Sequence, residues 1–384
     1  MAENTAISWT DATWSPWEGC VKISPACDHC YAERDAKRFA PAKTLWGVDS
    51  ERRVFSDKPD GSNKHWGEPL RWARQPFCEC MQCGWRGTAS KAGVKNSPPG
   101  FDRDPGAMRT CPQCQEPLLK ESRARVFCAS MGDWLDLDAP IGEFVRLLDL
   151  IRKTLELDWL LLSKRIGNWK KRLQEAWDYL MRGTMLTADE NVLAAWIERW
   201  LAGEAPTNVW VLATVVTQEE ADRDIVKLLA VPARIRGLSI EPMLSAINLH
   251  PWLCKHGDAS KPEQRMGPWC DANDALHWII AGGESGPHAR PTEVSWLRGV
   301  VEQCKAAGVP VHVKQLGAQP RGWCAARVHC EPADDEPLTE HYCDFYEAHE
   351  QRDPCPGRCP VFADKAGRDP AEWPDDLRVQ EFPA

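Results

Sequence analysis

The sequence predicts an α/β fold arranged as a full or partial (β/α) TIM-type barrel, and three observations support this prediction. From about residue 126 onward, short apolar runs alternate with amphipathic stretches. Such runs are typical of parallel strands that helices cover on both faces. About seven strands are expected, close to the number that closes such a barrel. Polar or charged residues follow these strands, where barrel enzymes build their active sites.

The predicted strands are short and apolar, and they cover residues 7–14, 126–131, 159–163, 209–216, 235–240, 276–281 and 309–313. The predicted helices repeat their apolar residues about every 3.6 positions. They cover residues 141–155, 169–180, 191–201, 218–229 and 294–307. The alternation indicates right-handed crossovers between parallel strands.

Two Cys-rich segments interrupt this alternation and divide the chain into four parts. Residues 1–75 form the cluster-binding N-terminal part of the barrel, and residues 76–122 form a zinc-ribbon-like insertion. Residues 123–320 form the remainder of the barrel, and residues 321–384 form a Cys-rich C-terminal extension.

Composition narrows the class of protein. The chain has 384 residues, 17 cysteines and a formal net charge of −9. No apolar run is long enough to span a membrane, and the N-terminus lacks the features of a signal peptide. Cysteines in C-x2-C pairs indicate metal ligands in a reducing compartment, so we expect a cytoplasmic protein without a membrane partner. The negative charge argues against broad non-specific binding to nucleic acid, although a local basic groove remains compatible with it.

The most informative motif consists of three cysteines near the start of the chain, Cys20, Cys27 and Cys30. A structural zinc site uses four protein ligands. A [4Fe-4S] cluster held by three cysteines leaves one iron open to a cofactor or substrate. The alternative is a zinc knuckle whose fourth ligand is His29 or a distant residue.

A second cysteine pattern lies in the insertion, where two C-x2-C pairs are separated by a Gly-, Pro- and Ser-rich stretch. The four residues are Cys80, Cys83, Cys111 and Cys114. This spacing is typical of a zinc ribbon, in which two knuckles meet around one tetrahedral metal. The site could staple an insertion too small to bury a core, or it could bind a nucleic acid or protein partner.

The C-terminal extension contains five more cysteines, Cys324, Cys330, Cys343, Cys355 and Cys359. Their spacing matches no established pattern. They could bind a second metal or remain isolated thiols.

Several motifs resemble the phage Gp37/Gp68-like proteins, a radical-SAM-like family also called three-Cys-motif proteins or DUF5131. The opening match contains the three cysteines. The matching segments cover nearly the whole chain outside the insertion and parts of the Cys-rich extension, and they are residues 13–20, 27–33, 130–133, 163–165, 239–244, 282–291, 313–317 and 372–383. The usual cluster motif of radical enzymes is C-x3-C-x2-C, whereas here the first gap is six residues. The position before the last cysteine, usually aromatic, is His29, and Tyr31 supplies the aromatic ring one position after it.

The resemblance implies a radical S-adenosylmethionine enzyme. Cys20, Cys27 and Cys30 would bind a [4Fe-4S] cluster, which would cleave S-adenosylmethionine to a 5′-deoxyadenosyl radical. Residues at the strand ends would then hold the cofactor, and these are Ser130, Asp133, Thr214, Ser239, Glu241, Gly282 and Gly283. The expected catalytic residues are Lys164, Arg165, Glu284 and Lys314. The basic residues could grip a carboxylate or phosphate, or could equally pair with acidic residues at the mouth of the barrel.

The expected substrate is a nucleotide or a nucleic-acid base, and the expected electron donor is a reductase or a flavodoxin-type protein. Structural zinc is expected in the insertion. Two other classes stay open. One is a non-enzymatic, zinc-stapled nucleic-acid-binding protein, and the other is a redox partner with an iron–sulfur cluster that does not use S-adenosylmethionine.

Overall fold

The computed structural model describes residues 5–39, 45–48, 50–57, 64–94, 109–117, 119–183, 185–253, 276–322 and 364–383. The chain divides into two compact units. The first unit comprises Met1–Val21, Tyr31–Val211 and Pro232–Arg234, and the second comprises Lys22–Cys30, Leu212–Val231 and Ile235–Ala384. The five cysteines of the C-terminal extension lie outside the described residues, so the prediction of a second metal there stays a prediction.

Sixteen strands and seven α-helices give the described chain a mixed α/β fold. The strands are β1 Ala12–Trp14, β2 Trp17–Glu18, β3 Arg53–Val54, β4 Phe77–Cys80, β5 Arg86–Thr88, β6 Gly93–Val94, β7 Arg109–Thr110, β8 Leu119–Ser122, β9 Ala124–Cys128, β10 Leu157–Ser163, β11 Val209–Thr214, β12 Ile235–Ile240, β13 Trp278–Gly282, β14 Thr292–Glu293, β15 Val311–Gln315 and β16 Pro320–Arg321. The helices are α1 Tyr31–Phe39, α2 Gly67–Ala73, α3 Ile141–Lys153, α4 Trp169–Met181, α5 Ala188–Leu201, α6 Gln218–Leu229 and α7 Val294–Ala307.

Seven strands form the main sheet in the order β1-β9-β10-β11-β12-β13-β15. The pairs β1–β9, β9–β10, β12–β13 and β13–β15 are parallel. The predicted alternation of strands and helices is therefore confirmed. In the described residues β1 and β15 are the edges of this sheet and do not pair with each other, so a closed barrel is not observed.

Burial explains why these sequences form central strands. All six residues of β11 and all six of β12 are buried, which is typical of parallel strands covered on both faces. The helices begin where side chains can cap them. Thr187 and Glu190 form a reciprocal capping box at the start of α5. The side chain of Thr217 accepts a hydrogen bond from the N–H of Glu220 at the start of α6.

Aromatic packing fills the core of the first unit. Trp14 at the end of β1 stacks on His65 and contacts Trp159 of β10 edge to face, with ring centroids 5.9 Å apart. Trp134 stacks on Trp200, with centroids 6.3 Å apart and nearly parallel rings. Offset and edge-to-face ring pairs of this kind add to the stabilisation that burial alone provides.

The insertion contains two small antiparallel sheets, ordered β5-β4-β8 and β6-β7. Arg86 of β5 joins the larger one to the start of β1, because its guanidinium donates to both carboxylate oxygens of Asp11. Asp11 also pairs with Arg125 of β9 at 3.3 Å. The burial of Asp11 would raise its pKa, but Arg125 and Arg86 outweigh that effect and leave the pKa lowered.

Most predicted strands begin or end a few residues away from the observed boundaries, and for the first two strands the contacts show why. The first strand was predicted over residues 7–14 but begins at Ala12, because the Thr10 hydroxyl bonds to Arg125 O and Phe127 N in place of the backbone. The second strand was predicted to residue 131 but ends at Cys128. Ala129 adopts a left-handed conformation with φ of +56° and turns the chain there. The predicted division of the chain into four parts stays a prediction.

None of the helices in the described ranges has the length and apolar composition needed to cross a membrane.

Candidate functional site

Asp133 is the centre of a buried hydrogen-bond network in the first unit, just after the end of β9. Its Oδ1 accepts from the Ser163 hydroxyl at 2.7 Å and from the N–H of Leu135 at 3.0 Å. Its Oδ2 accepts from the N–H of Lys164 at 3.0 Å and from the guanidinium of Arg165 at 3.1 Å. Each carboxylate oxygen therefore has two donors, and the network ties β9 to the residues that follow β10.

Arg165 links this network to the first cysteine of the motif. Its Nη1 lies 3.2 Å from the sulfur of Cys20, and its Nη2 donates to the carbonyl of Val21. Burial and the nearby Asp133 raise the pKa of the Cys20 thiol to about 12, while Arg165 acts in the opposite direction. A bound metal would reverse this balance, because a thiol that coordinates a metal is deprotonated.

The chain approaches Cys20 through a position where only glycine fits. Gly19 has φ of +113°, and a Cβ there would lie 2.5 Å from the carbonyl oxygen of Leu45. The N–H of Gly19 bonds to Met131 O, and Cys20 forms an isolated bridge with Trp46. These contacts place the cysteine beside the turn after β9.

Ser130, a predicted cofactor ligand, lies in that same turn. Its hydroxyl is 3.2 Å from the hydroxyl of Ser15, and its carbonyl accepts a hydrogen bond from Tyr31 Oη. Ser15 Oγ in turn accepts from the N–H of Met131. Tyr31, the aromatic residue that follows the cysteine motif, therefore holds the backbone of this turn.

Cys27 and Cys30 belong to the second unit. A short 3₁₀ helix, Pro25–Cys27, begins after Ser24, whose side chain accepts from the N–H of Ala26. Cys27 is buried and Cys30 is partly exposed, and neither forms a disulfide. The backbone of the motif before Cys27 is thus a capped turn.

An ion-pair network within the second unit fixes this turn. Glu284 accepts from Arg290 through its backbone N–H, its Nε and its Nη2, at distances of 2.6 to 3.0 Å. Glu284 also lies 2.9 Å from Nδ1 of His29. Arg290 Nη1 donates to the carbonyl of Pro25 and to the carboxylate of Asp28. Burial would raise the pKa of Glu284, but the bonds from Arg290 and His29 leave it lowered.

Glu241 and Lys314 form an ion pair at the ends of β12 and β15, and Gln315 donates to the same carboxylate at 3.3 Å. The pairing of strand-end cations with acidic residues, which the sequence left open as an alternative, thus occurs for Lys314 and, with Asp133, for Arg165. Glu284 instead pairs with Arg290, which the sequence did not single out.

Gly282 and Gly283 are two of the residues expected to hold the cofactor. A Cβ on Gly283 would lie 2.2 Å from the carbonyl oxygen of Leu316, and one on Gly282 would lie 3.1 Å from that of Gln315. The group that approaches these glycines is therefore the backbone of β15 and the residue after it.

Three further predicted residues lie at the ends of strands β10, β11 and β12. Thr214 Oγ1, at the end of β11, is buried without a hydrogen-bond partner among the described residues. Ser239, one residue before the end of β12, is 3% exposed. The Lys164 side chain follows β10, and no ion pair joins it to any residue the structure describes. Within the described ranges, Arg165 and Lys314 each have an acidic partner, and Lys164 has none.

The four insertion cysteines lie together in the first unit. Their sulfurs are all within 4.8 Å of one another, and Cys80–Cys114 and Cys83–Cys111 are 3.6 and 3.5 Å apart. A disulfide has a sulfur separation of about 2.0 Å. Four sulfurs at about 2.3 Å from a tetrahedral zinc would be about 3.8 Å apart. The observed spacing therefore fits a metal and excludes a disulfide.

The two C-x2-C pairs have the same backbone geometry. Gly84 and Gln115, which follow the second cysteine of each pair, both have left-handed φ angles, of +72° and +62°. The N–H of each bonds to the carbonyl of the first cysteine of its pair, Cys80 or Cys111. The two pairs therefore lie in matching turns, and together these turns bring four sulfurs close enough to bind one ion.

Backbone N–H groups point at the sulfurs in both turns. The N–H of Gln113 lies 3.4 Å from the sulfur of Cys111. Hydrogen bonds from the N–H groups of Cys83 and Gln82 lower the pKa of Cys80, whereas desolvation and the neighbouring sulfurs raise the pKa of Cys83 and of Cys114. Such bonds stabilise negative charge on sulfur, as a metal-bound thiolate requires.

Sequence reasoning missed two residues of the network around the cysteine motif, Arg290 and His29 in its role as a partner of Glu284. Arg290 lies within a segment whose motif was recognised, but its pairing with Glu284 depends on the loop geometry. Among the described residues, the four insertion cysteines form the one group of three or more ligand side chains within 4.8 Å.

The fold and these sites define a mixed α/β protein with a cysteine cluster arranged for a metal ion. A family model described as a protein of unknown function (DUF5131) matches residues 4–342. The match covers most of the chain, so the chain belongs to the DUF5131 family. No curated protein and no solved structure matches it.

Proposed function

We propose that the protein is a radical S-adenosylmethionine enzyme of the phage Gp37/Gp68-like type. Cys20, Cys27 and Cys30 would be the ligands of a [4Fe-4S] cluster, with one iron left open for the cofactor. When bound, the cluster and S-adenosylmethionine supply one-electron chemistry that yields a 5′-deoxyadenosyl radical. The protein contributes binding, orientation and exclusion of water.

The observation that carries the proposal is the environment of Cys20. This cysteine is a free thiol that contacts the buried Arg165–Asp133 pair at the end of β10. A cysteine that serves only in packing has apolar neighbours, as Cys128 does in β9. An ionic network around a thiol is instead typical of a functional cysteine.

The second unit supports the proposal in two ways. Arg290 and Glu284 hold the backbone turn that carries Cys27, so the turn is preformed. Preformed ligand positions reduce the entropy that ordering would cost on metal binding. Thr214 offers a buried hydroxyl that has no hydrogen-bond partner in the part of the chain that the structure describes, and a polar group of the cofactor would satisfy it.

We infer that the substrate is a nucleotide or a nucleic-acid base. Lys164 carries an ammonium that forms no ion pair with the residues that the structure describes, and a phosphate would suit it. Arg165 and Lys314 are less suited to this task, since each already pairs with a carboxylate. An electron must come from outside the chain, which calls for a reductase or a flavodoxin-type donor.

We propose that the insertion is a zinc ribbon and that its role is structural. The spacing of the four sulfurs and the matching turns support zinc as the ion. Among the described residues of the insertion, the buried apolar side chains are those of Cys78, Cys80, Ala92 and Cys111, so the metal would supply much of its folding free energy. We also propose that the seven-stranded sheet is an open version of the (β/α) barrel, because its parallel order follows the chain.

The second candidate is a zinc-stapled nucleic-acid-binding protein without enzymatic activity. The four-cysteine cluster favours it, because such clusters occur in nucleic-acid-binding modules. In that case Cys20, Cys27 and Cys30 would also bind zinc, and the purified protein would be colourless.

Metal analysis separates the two candidates. The protein should be purified without oxygen and reconstituted with iron and sulfide, and its iron and zinc should then be counted. Our proposal predicts about four irons, about one zinc and a brown colour. A Cys27→Ala variant should lose the iron and keep the zinc, whereas Cys111→Ala should lose the zinc. Zinc without iron in the wild-type protein would refute the proposal and favour the binding protein.

A further inference from the structure

We propose that Arg165 is a positioning residue for the iron–sulfur cluster, because its guanidinium hydrogen-bonds the Cys20 sulfur and thereby makes the bound cluster easier to reduce. This inference rests on the proposed function. It differs from the role expected from the sequence, in which Arg165 would grip a carboxylate or phosphate of the substrate.

The geometry of Arg165 leaves little of its guanidinium for a substrate. The side chain is 9% exposed, and its Nη1 contacts both the Cys20 sulfur at 3.2 Å and the Asp133 carboxylate at 3.1 Å. Its Nη2 donates to the carbonyl of Val21, the residue after the cysteine. Two of the three groups that it contacts thus belong to the first cysteine and its neighbour.

The position of Arg165 is itself fixed. The backbone N–H of Arg165 bonds to Ser163 Oγ at 2.8 Å, and the same hydroxyl donates to Asp133 at 2.7 Å. The side chain and the backbone are therefore anchored to one network, which aligns the N–H of the guanidinium with the sulfur. Preorganised donors of this kind need no rearrangement when charge changes nearby.

The positive charge of Arg165 explains why the bound cluster should be easier to reduce. Reduction adds an electron to the cluster, and part of the added charge falls on the sulfur ligands. A hydrogen bond and a positive charge at a ligating sulfur stabilise the reduced state more than the oxidised state. Asp133 partly offsets the charge of Arg165, but it does not remove the hydrogen bond to Cys20.

The test is a redox titration of the reconstituted cluster with dithionite, followed by its paramagnetic resonance signal. Arg165→Met removes the hydrogen bond and the charge. Arg172→Met is the matched control, because Arg172 is also a buried arginine paired with a carboxylate, Glu175, and none of the described residues it contacts is a cysteine. Arg165→Lys keeps the charge beside Asp133 and serves if the methionine variant does not fold.

For Arg165→Met we expect at least a tenfold lower ratio of reduced to oxidised cluster at a fixed potential, which corresponds to about 59 mV for one electron. Arg165→Lys should show a smaller decrease, and Arg172→Met should show none. A cluster of unchanged potential in Arg165→Met and Arg165→Lys would overturn the inference and leave the proposed function standing. A wild-type protein that takes up no iron would overturn the proposed function, and the inference with it.

Discussion

The substitution Asp133→Asn tests whether the carboxylate of Asp133 organises the strand ends or is reserved for the cofactor. Each oxygen of Asp133 accepts two hydrogen bonds from the protein. An asparagine can keep the two bonds on its oxygen, but its NH₂ group would face two donors. If it faces Lys164 N–H and Arg165, the backbone donor loses its acceptor and the buried guanidinium loses its only carboxylate partner among the described residues.

The size of the effect follows from these contacts. A hydrogen bond to a charged group is worth about 1.5–3 kcal/mol, and an unsatisfied buried donor costs about 1–3 kcal/mol. The pair needs no discount for solvent screening, since Asp133 is 5% exposed and Arg165 is 9% exposed. We therefore expect Asp133→Asn to lower the free energy of unfolding by about 3–5 kcal/mol, the range for breaking a buried ion pair.

The assay is urea unfolding of the iron-free, zinc-loaded protein, followed by tryptophan fluorescence, so that loss of a cluster cannot contribute. Asp149→Asn is the control, because Asp149 pairs with Arg152 and Lys153 on the partly exposed face of α3. It should cost about 1 kcal/mol or less. The reasoning would be refuted if Asp133→Asn changed stability by less than about 1 kcal/mol but weakened the binding of S-adenosylmethionine.

Three further predictions concern the other strand-end residues. The pKa of Glu284 is lowered in the folded protein, so it stabilises the fold above the unfolded pKa of about 4.5, and this contribution disappears as pH falls. Unfolding measured between pH 3 and 6 should show a shallower acid dependence for Glu284→Gln than for the wild type. Gly283→Ala should destabilise the protein by about 2–3 kcal/mol in urea unfolding, because its Cβ would meet Leu316 O. Lys164→Met should change stability by less than about 0.5 kcal/mol, yet weaken the binding of a nucleoside monophosphate about tenfold in calorimetry.

Each of these predictions has an outcome that contradicts it. An unchanged acid dependence in Glu284→Gln would mean that the pair with Arg290 does not stabilise the folded state. A Gly283→Ala protein as stable as the wild type would show that β15 can move away. Equal nucleotide affinity in Lys164→Met and in a Lys170→Met control would remove Lys164 from the substrate site.

Much of the fold could be predicted because its signals are local. The helices Gln218–Leu229 and Val294–Ala307 and the strand Ile235–Ile240 have the predicted boundaries, since apolar spacing and capping residues determine them. Strand ends were less predictable where a side chain takes over a backbone hydrogen bond, as Thr10 does, or where a left-handed residue such as Ala129 ends pairing.

The site could be predicted in its residue types but not in its pairings. The spacing of the cysteines was sufficient to predict the four-cysteine cluster, because the turn within a C-x2-C pair depends only on neighbouring residues. The partner of Arg165 depends on how the turn after β9 meets the end of β10, which no local pattern records. The role of Gly283 likewise depends on the close approach of Leu316, a residue far along the chain.

The most direct test of the central proposal is whether the protein cleaves S-adenosylmethionine. The reconstituted protein should be incubated without oxygen with dithionite and S-adenosylmethionine, and 5′-deoxyadenosine should be quantified. We predict that the wild-type protein forms it, that Cys111→Ala keeps the reaction wherever it remains folded, and that Cys20→Ala abolishes it. A wild-type protein that holds its cluster and S-adenosylmethionine but forms no 5′-deoxyadenosine would contradict the proposal.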